Sequence, residues 1–247
     1  MPKYFLPPSA FTNGSAVLQG DGAHHLLHVL RMKEGARVTL CDGQSTDYPA
    51  ILREADRKKM LCHFTTQAPA PCETELRLPI ALYQSLPKGD KFEAVIQKCV
   101  ELGVFSILPV YTAHSLAKNA DKKTARYQKI AEAAAGQSMR GIVPQVHLPA
   151  TFAQALAQAE KTALHLIALS PSEAPADFTP RTLREILSEA PRPCAISLWI
   201  GPEGGFSPQE VTALLDVGAI PFTFGKRVLR TETAAPAALA QISCLLE

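Results

Sequence analysis

The sequence predicts an α/β protein of two domains, a small β-rich domain followed by a larger domain with a mostly parallel sheet. Residues 1–70 contain several short β-type segments. After residue 71 apolar strands alternate with helical patterns, and this order favours a parallel sheet with helices on both faces. The stretch Ala68-Pro69-Ala70-Pro71 between the two regions is stiff and typical of a linker. We therefore place the domains at residues 1–70 and 71–247.

In the first domain, one short helix interrupts the predicted strands. The helix covers residues 23–30, after Asp21, and the dipeptide Asp42-Gly43 is typical of a tight turn between two strands. The predicted strands are residues 4–6, 37–41, 47–53 and 59–66. These segments indicate a small β-rich barrel or sandwich.

In the second domain, strands and helices alternate along the chain. The predicted strands are residues 78–84, 105–110, 163–169, 196–200 and 220–224. The predicted helices are residues 91–102, 122–138, 152–161 and 181–189, with two more that begin after Ser207 and near Thr233. The proline-containing stretch 170–180 is a long loop next to a strand end, where ligands tend to bind.

The composition is that of a globular chain without a metal or disulfide framework. Of the 247 residues, 47% are hydrophobic, which is ample for buried cores. The six cysteines are scattered without a Cys-x-x-Cys pair, so we predict reduced thiols and no zinc site. His24 and His28 have the i, i+4 spacing of a zinc pair, but His25 stands where the catalytic zinc motif needs Glu. We therefore prefer a polar helix face to a metal site.

The sequence has no feature of a secreted or membrane protein. No run of eighteen apolar residues is present, and Pro7 and Pro8 interrupt the stretch that a signal peptide would need. We therefore predict a cytoplasmic protein with no membrane partner. The net charge of +2 excludes a polycation that coats nucleic acid, so any RNA contact must use local basic patches.

Two segments near the C-terminus predict a ligand crevice. The apolar strand 196–200 stops at Gly201-Pro202 and is followed by a capping-box helix start, with Ser207 as the cap and Glu210 three residues later. The strand 220–224 likewise leads through a polar loop into an alanine-rich helix. Two strand ends followed by helix N-termini form the kind of crevice that α/β proteins use for nucleotide-like ligands.

The usual phosphate-binding motifs are absent from this crevice. The segment GPEGGF lacks the Gly-x-Gly-x-x-Gly spacing, and Gly225-Lys226 is followed by Arg227 where a P-loop needs Ser or Thr. The ligand is therefore predicted to resemble a nucleotide that is not held by its phosphates.

The two segments also resemble a known family. GPEGGFSPQE followed by FGKRVLRTETA resembles the signature of the bacterial 16S ribosomal RNA uridine N3-methyltransferases, which belong to the SPOUT class. HHLLHVLRMKEG is similar to that family's PUA-like RNA-binding domain, and LPKGDKFEAVIQKCVELGV resembles the start of its catalytic domain. The resemblance implies a trefoil knot in the C-terminal domain, a homodimer, and 16S ribosomal RNA or the small ribosomal subunit as partner.

The reaction that the resemblance implies is methyl transfer from S-adenosylmethionine to N3 of a uridine, without a metal. Two alternatives remain open, a non-catalytic RNA-binding protein of the same fold and a methyltransferase that acts on another RNA position. The chain departs from the family at Ala113-His114-Ser115, where relatives commonly have Glu-Arg-Ser, and at Gly136, where they often have Glu. We expect these departures to affect RNA or dimer contacts and to leave the cofactor segments untouched.

Three residues are candidates for catalysis. A fixed guanidinium at Arg230 would stabilise negative charge on the uracil carbonyl oxygens as N3 loses its proton, unless Arg230 instead forms a salt bridge with Glu232 or Glu203. The two glutamates would either bind the cofactor or take the proton, and the sequence does not separate these roles. The residues predicted to bind the cofactor are Leu169, Ile200, Gly201, Pro202, Glu203, Gly204, Gly205, Gly225, Leu229, Arg230, Thr231, Glu232 and Thr233.

A further set of polar residues is predicted to contact RNA, with a merely solvated face as the alternative. Most of them lie in local clusters of positive charge, which suit phosphate contacts. They are His25, Arg31, Lys33, Lys88, Lys122, Lys123, Arg126 and Arg140. Trp199 lies in an apolar strand and is predicted to be a core residue and not a base-stacking platform.

Overall fold

The computed structural model describes residues 2–116, 120–159, 164–171, 173–174, 179–189 and 193–246. The chain forms two compact units. The first consists of Met1–Glu75 together with Ala135–Val143, and the second consists of Leu76–Ala134 together with Pro144–Glu247. The first unit therefore includes a short segment that comes from the middle of the chain.

The first unit is built around one mostly antiparallel sheet. Its strand order is β1-β3-β4-β5-β2, and a sixth strand, β6, pairs with β4. The strands are β1 (Lys3–Phe5), β2 (Ser15–Gln19), β3 (Arg37–Cys41), β4 (Thr46–Asp56), β5 (Leu61–Thr66) and β6 (Ala70–Pro71). Among the strands described in this unit, only β1 and β3 pair in parallel. The β-rich character of this region is therefore confirmed, and its core includes Leu26, Leu40, Leu52 and Phe64.

The predicted linker is part of the first unit's sheet. Ala70 and Pro71 pair with Asp47 and Thr46 of β4, so this stretch is a short strand and not a free connection. Proline is tolerated at this position because β6 is only two residues long and lies outside the main strand path. The first continuous part of this unit thus ends at Glu75 and not at the predicted residue 70.

The predicted helix of the first unit is irregular. An α-helix, α1 (Asp21–His24), continues directly into a π-helical turn (His25–Val29). Its apolar residues Leu26 and Leu27 are fully buried, which is why the apolar spacing predicts a helix here. A π turn inside a helix is uncommon and often marks a functional site.

The segment from the middle of the chain is bound to the first unit by buried polar contacts. The carboxylate of Glu75 pairs with the Arg140 guanidinium and accepts hydrogen bonds from the backbone N–H groups of Gly141 (2.8 Å) and Ile142 (3.1 Å). Lys3 Nζ donates to the carbonyl oxygens of Met139 (3.0 Å) and Arg140 (3.1 Å). Arg140 is only 3% exposed. The prediction that it contacts RNA is corrected, because burial in an ion pair removes its guanidinium from the surface.

The second unit contains a parallel sheet, as predicted. Its strand order is β10-β8-β7-β12-β11-β13, with β9 added beside β8, and every strand pair in it is parallel. The strands are β7 (Ile80–Ser85), β8 (Ser106–Tyr111), β9 (Gln145–Val146), β10 (Ala150–Thr151), β11 (Leu164–Ala168), β12 (Ile196–Ile200) and β13 (Ile220–Phe222). Trp199 is 1% exposed and stacks on Tyr83, so it is a core residue.

The helices that follow these strands begin close to their predicted positions. The Ser207–Glu210 capping box forms with both hydrogen bonds in place. The remaining helices are α2 (Lys91–Glu101), α3 (Thr124–Gln137, after a 3₁₀ turn at Ala120–Lys123), α4 (Phe152–Gln158), α5 (Leu183–Glu189), α6 (Pro208–Asp216) and α7 (Thr231–Leu246). The helix α7 begins at Thr231, two residues earlier than predicted. The trefoil knot that the resemblance implies stays a prediction.

Candidate active site

A cavity of about 470 Å³ lies at the carboxyl ends of β11, β12 and β13 in the second unit. This is the edge of a parallel sheet at which α/β proteins bind ligands. Most of the predicted cofactor-binding residues line it, namely Leu169, Ile200, Gly201, Pro202, Glu203, Gly204, Gly205, Leu229, Arg230 and Thr231. Gly225, Glu232 and Thr233 are not among its lining residues.

The glycines of the first segment make room for protein side chains. A Cβ on Gly205 would lie 2.3 Å from Oε1 of Glu173, and the φ angle of Gly205 is +69°, which disfavours any side chain. A Cβ on Gly204 would lie 3.0 Å from Cβ of His114. Protein atoms therefore fill the space that the missing side chains of these two glycines leave, and the interpretation that the glycines let a ligand approach the backbone stays a prediction.

His114 contacts the cofactor segment directly. Its Nδ1 lies 3.0 Å from the carbonyl oxygen of Gly205, and the neighbouring Ala113 N–H donates to Glu210 Oε1 at 2.8 Å. The prediction that the departure at positions 113–115 leaves the cofactor segments untouched is therefore wrong. Sequence spacing could not show this contact, because His114 and Gly205 lie 91 residues apart.

Glu173 is a cavity residue that the sequence interpretation missed. One carboxylate oxygen accepts the Phe206 N–H at 2.7 Å, and the other accepts the N–H (2.9 Å) and the hydroxyl of Ser170. The spacing Ser170-x-x-Glu173 is that of a capping box. That spacing was the available signal, although it does not predict the contact with Phe206.

A directional chain of hydrogen bonds joins three elements behind the cavity. The Thr231 hydroxyl donates to the Gly201 carbonyl oxygen at 2.6 Å, so its oxygen is left to accept the amide N–H of Gln84 at 2.9 Å. The second N–H of that amide donates to the Ser85 carbonyl oxygen at 2.9 Å. Gln84 is fully buried, and no described residue donates to its Oε1. This chain ties the ends of β7 and β12 to the start of α7.

The two glutamates predicted to take part in catalysis, Glu203 and Glu232, both lie close to Lys91. Lys91 Nζ lies 2.8 Å from Glu203 and 3.6 Å from Glu232, and the Lys88 N–H also donates to Glu203 at 3.2 Å. Partial burial alone would raise the pKa of Glu203, but the hydrogen bonds from Lys91 and the Lys88 amide outweigh it and lower that pKa. The hydrogen bond to Glu203 raises the pKa of Lys91, so both groups are charged near neutral pH.

Arg230 is left without an acidic partner among the described residues. Its side chain is exposed at the cavity, whereas the two glutamates considered as its salt-bridge partners both face Lys91. The Arg230 carbonyl oxygen accepts the N–H groups of Thr233 and Ala234, both at 2.8 Å. The backbone is thus fixed at the start of α7 while the guanidinium is free to meet a ligand.

The first unit places its predicted RNA-binding residues at the surface. His25, Arg31 and Lys33 are exposed, and His25 Nδ1 lies 3.1 Å from the Tyr4 hydroxyl. Arg31 follows the π turn with a φ angle of +52°, an uncommon conformation for a residue with a side chain. Arg31 is thus an exposed cation directly after the π turn.

In the second unit, the predicted RNA-binding residues differ in their partners. Lys88 and Lys122 are exposed. Lys123 pairs with Asp90 at 3.3 Å, and Arg126 pairs with Glu93 at 2.7 Å. Lys118, which belongs to the same basic run in the sequence, lies outside the described residues.

The cavity offers groups that suit a planar heteroaromatic ligand. Leu169, Ile200 and Leu229 provide apolar surface, and no described residue forms a hydrogen bond with the backbone N–H or C=O of Leu229. A backbone donor beside a backbone acceptor matches the edge of a base such as adenine, which carries an amino group and ring nitrogens. An adenosyl cofactor therefore fits the residues present.

Within the described ranges, no three His, Cys, Asp or Glu side chains approach closely enough to hold a metal ion.

Two family models match the chain in the same order as the two units. Residues 18–65 match an RNA methyltransferase PUA domain, and residues 74–243 match an RNA methyltransferase domain. The fold and the cavity thus define a member of the RNA methyltransferase class.

Full-length relatives narrow this class. The ribosomal RNA small subunit methyltransferase E of Synechocystis is 34% identical over 97% of this chain and 76% of that protein, and the enzyme of that name from Bacillus subtilis is 32% identical over 92% and 88%. A crystal structure of a ribosomal RNA small subunit methyltransferase E from Neisseria gonorrhoeae bound to S-adenosyl methionine is 32% identical, with a TM-score of 0.87 over 99% of this chain and 98% of that one. The chain belongs to the ribosomal RNA small subunit methyltransferase E family.

Proposed function

We propose that the protein transfers a methyl group from S-adenosylmethionine to N3 of a uridine in 16S ribosomal RNA. The observation that carries this proposal is the cavity at the ends of β11, β12 and β13, with the unpaired Arg230 at its edge. Membership of the family and the S-adenosyl methionine complex of the Neisseria relative support the same cofactor and the same class of RNA.

The residues of the cavity hold the cofactor in this proposal. The backbone of Leu229 hydrogen-bonds the adenine edge, and the side chains of Leu169 and Ile200 cover its faces. When bound, the cofactor supplies an electrophilic methyl group on a sulfonium, so no metal is needed. The protein must therefore align donor and acceptor and accept the N3 proton.

Arg230 stabilises the negative charge that develops on the uracil carbonyl oxygens as the proton leaves N3. Its guanidinium has no acidic partner among the described residues, so no ion pair must be broken before it meets the uracil oxygens. Glu203 is a weak base because its pKa is lowered, and we assign it to holding Lys91 at the cavity. Glu232 is the other carboxylate beside Lys91, with Oε2 3.6 Å from Nζ, and it is left as the candidate to take the N3 proton.

In this proposal, the exposed basic residues hold the RNA. The protein acts as a homodimer, and it acts in the cytoplasm. Arg31 and Lys33 of the first unit, and Lys88 and Lys122 of the second, are exposed cations without an acidic partner among the described residues. They suit phosphate contacts that position the target strand. Each helix that the structure describes is too short or too polar to cross a membrane.

The decisive experiment measures cofactor binding and methyl transfer together. Calorimetric titration with S-adenosylmethionine should show one site per chain. Labelled methyl groups should then appear on N3 of a uridine when small ribosomal subunits or their RNA are supplied. Binding without transfer to any RNA would favour a non-catalytic RNA-binding protein, and transfer to another atom would identify a different modification.

A further inference from the structure

The loop between β12 and α6 is held by side chains from two other loops. The turn formed by residues 204–206, called here the 204–206 turn, lines the cavity through Gly204 and Gly205. Glu173 accepts the N–H of Phe206 at 2.7 Å from one side, and His114 Nδ1 bonds the carbonyl oxygen of Gly205 at 3.0 Å from the other. The N–H and C=O of successive residues are thus fixed by separate partners.

The Glu173 carboxylate forms charge-assisted hydrogen bonds, and it lies so close to Gly205 that no side chain fits at position 205. Its carboxylate receives hydrogen bonds from three donors, and two of them belong to Ser170. Hydrogen bonds to a charged acceptor are roughly twice as strong as neutral ones. A Cβ at Gly205 would lie 2.5 Å from the Glu173 carboxyl carbon, so this carboxylate can approach only a glycine.

Another pair with the same spacing in the second unit provides a comparison for Glu173. Thr182 and Glu185 form an equivalent pair at the start of α5, in which Glu185 accepts the N–H (2.7 Å) and hydroxyl (2.8 Å) of Thr182. No further hydrogen bond to Glu185 from another loop is present among the described residues. Glu173 also accepts a hydrogen bond from the N–H of Phe206, which lies in another loop at the cavity. Glu185 accepts no comparable hydrogen bond from the described residues.

His114 acts as a donor in its contact. A carbonyl oxygen only accepts, so Nδ1 of His114 must carry the proton in the bond to Gly205. The ring also packs beside Gly204, where a Cβ would meet it at 3.0 Å. The two contacts fix both the position and the orientation of the peptide between Gly205 and Phe206.

We propose that Glu173 and His114 are positioning residues that hold the 204–206 turn in the shape that binds the cofactor. This inference rests on the proposed function, since it concerns the affinity for S-adenosylmethionine. Neither side chain performs a step of the reaction. Loss of either contact lets the turn relax and weakens binding, while the reacting groups at Arg230 stay in place.

The test compares Glu173→Ala with Glu185→Ala as a matched control in the full-length protein. Glu173→Ala should raise the dissociation constant and the KM for S-adenosylmethionine by about tenfold to a hundredfold, the effect of losing a charge-assisted hydrogen bond. Its kcat at saturating cofactor should stay within about threefold of wild type, because the catalytic groups are untouched. Glu185→Ala should bind the cofactor as wild type does.

Conservative variants complete the design. Glu173→Gln keeps one acceptor oxygen but turns an N–H group toward a donor, so its affinity should be severalfold weaker than wild type. His114→Ala should also weaken binding, whereas His114→Asn, which can donate to the Gly205 carbonyl, should restore it. If Glu173→Ala does not fold, Glu173→Gln and the histidine pair decide the question.

Two results would overturn the inference. The first is an affinity within about twofold of wild type in Glu173→Ala, or in Glu173→Gln if the alanine variant does not fold. The second is an equal loss of affinity in the Glu173 and Glu185 alanine variants. Absence of cofactor binding by the wild-type protein would instead refute the proposed function, so the two failures are distinguishable.

Discussion

At the residue scale, Arg230 is where the proposed chemistry depends most on a single side chain. It is exposed at the cavity and has no acidic partner among the described residues, while its backbone is fixed by two hydrogen bonds at the start of α7. An exposed side chain without an ion pair contributes little to stability, so its loss should affect the reaction more than the fold.

We expect Arg230→Ala to bind S-adenosylmethionine within about tenfold of wild type but to lose about a hundredfold or more in kcat, as when an oxyanion donor is removed. Arg230→Lys should recover only part of the rate, because an ammonium lacks the planar fork of a guanidinium. Arg227→Ala is the control, since Arg227 is also an exposed cavity residue. Undiminished kcat in Arg230→Ala would remove this residue from the catalytic role.

Lys3 shows the opposite case, a charge that serves stability. Its side chain is fully buried and lies 2.8 Å from Asp47 Oδ2. Burial alone would lower the pKa of Lys3, but hydrogen bonds to Asp47 and Cys72 outweigh burial and raise that pKa above its usual range. A raised pKa in the folded state means that protonated Lys3 stabilises the fold.

We expect Lys3→Met to lose about 3 kcal/mol of unfolding free energy at pH 7, because the carboxylate of Asp47 is left without its partner. This difference from wild type should stay constant up to about pH 10, the usual pKa of lysine. It should shrink as the pH rises through the higher folded-state pKa, where wild-type Lys3 loses its proton. Urea unfolding of both proteins from pH 7 to 11 measures the effect, and a difference that grows with pH would contradict this assignment.

The sequence predicted which residue types stand at the site, but it did not predict the contacts that require them. The glycines of GPEGG were predicted from their conformational freedom, but the close approach of Glu173 to Gly205 was not. Glu173 lies 33 residues from the Phe206 N–H that it binds, and no periodic pattern reports a contact of that kind. Arg140 shows the same limit, since a cation in a basic stretch cannot be recognised as buried until Glu75 is placed beside it.

At the element scale, the start of α7 depends on a hydrogen-bond chain with a fixed direction. The proton of Thr231 goes to the Gly201 carbonyl, so the group of Gln84 that faces Thr231 must be a donor. Glutamine satisfies this requirement, while glutamate at neutral pH does not. The chain therefore determines which residue types can stand at positions 84 and 231.

We expect Gln84→Glu and Thr231→Val each to lose about 1–3 kcal/mol of unfolding free energy, the cost of leaving buried polar groups unpaired. Thr231→Ser keeps the hydroxyl and should lose clearly less. Urea denaturation gives the stability, and calorimetry with S-adenosylmethionine shows whether the cavity is also affected. Equal stability of the valine and serine variants would show that the hydroxyl makes no contribution.

Elements with a strong apolar pattern were predicted well, and short or irregular ones were not. Strand β12 and the Ser207 helix start were found at their observed positions, because a buried apolar run and a capping box are local signals. The two-residue strands β9 and β10 carry too little sequence for any period to show. The π turn at His25–Val29 was predicted as part of an ordinary helix, because apolar spacing does not distinguish the two pitches.

At the scale of the whole molecule, the division into units does not follow the order of the chain. Residues 135–143 belong with the first unit, where they supply Arg140 to Glu75 and two carbonyl acceptors to Lys3. Composition and linker signals indicate only where a pattern changes, so they could not predict an insertion of this kind. The parallel sheet was predictable because the alternation of strands and helices leaves few other arrangements.

We expect a fragment of residues 1–75 to lack a cooperative unfolding transition, because Lys3 and Glu75 would lose buried partners. The same fragment joined through a flexible linker to residues 135–143 should unfold cooperatively. Thermal melts followed by circular dichroism compare the two. A cooperative transition of equal midpoint in both fragments would show that the inserted segment adds nothing to the first unit.

The cavity can form during folding only after strands from distant parts of the chain have paired. Ile80 of β7 pairs with Ile196 of β12, so the central strands of the sheet come from distant parts of the chain. Pairings between distant segments are slow to form, because the intervening chain must be ordered first. The helix α7, whose first residue Thr231 closes the hydrogen-bond chain behind the cavity, follows all the strands of this sheet in the sequence. During synthesis on the ribosome, the cavity can therefore bind a cofactor only after α7 has also been made.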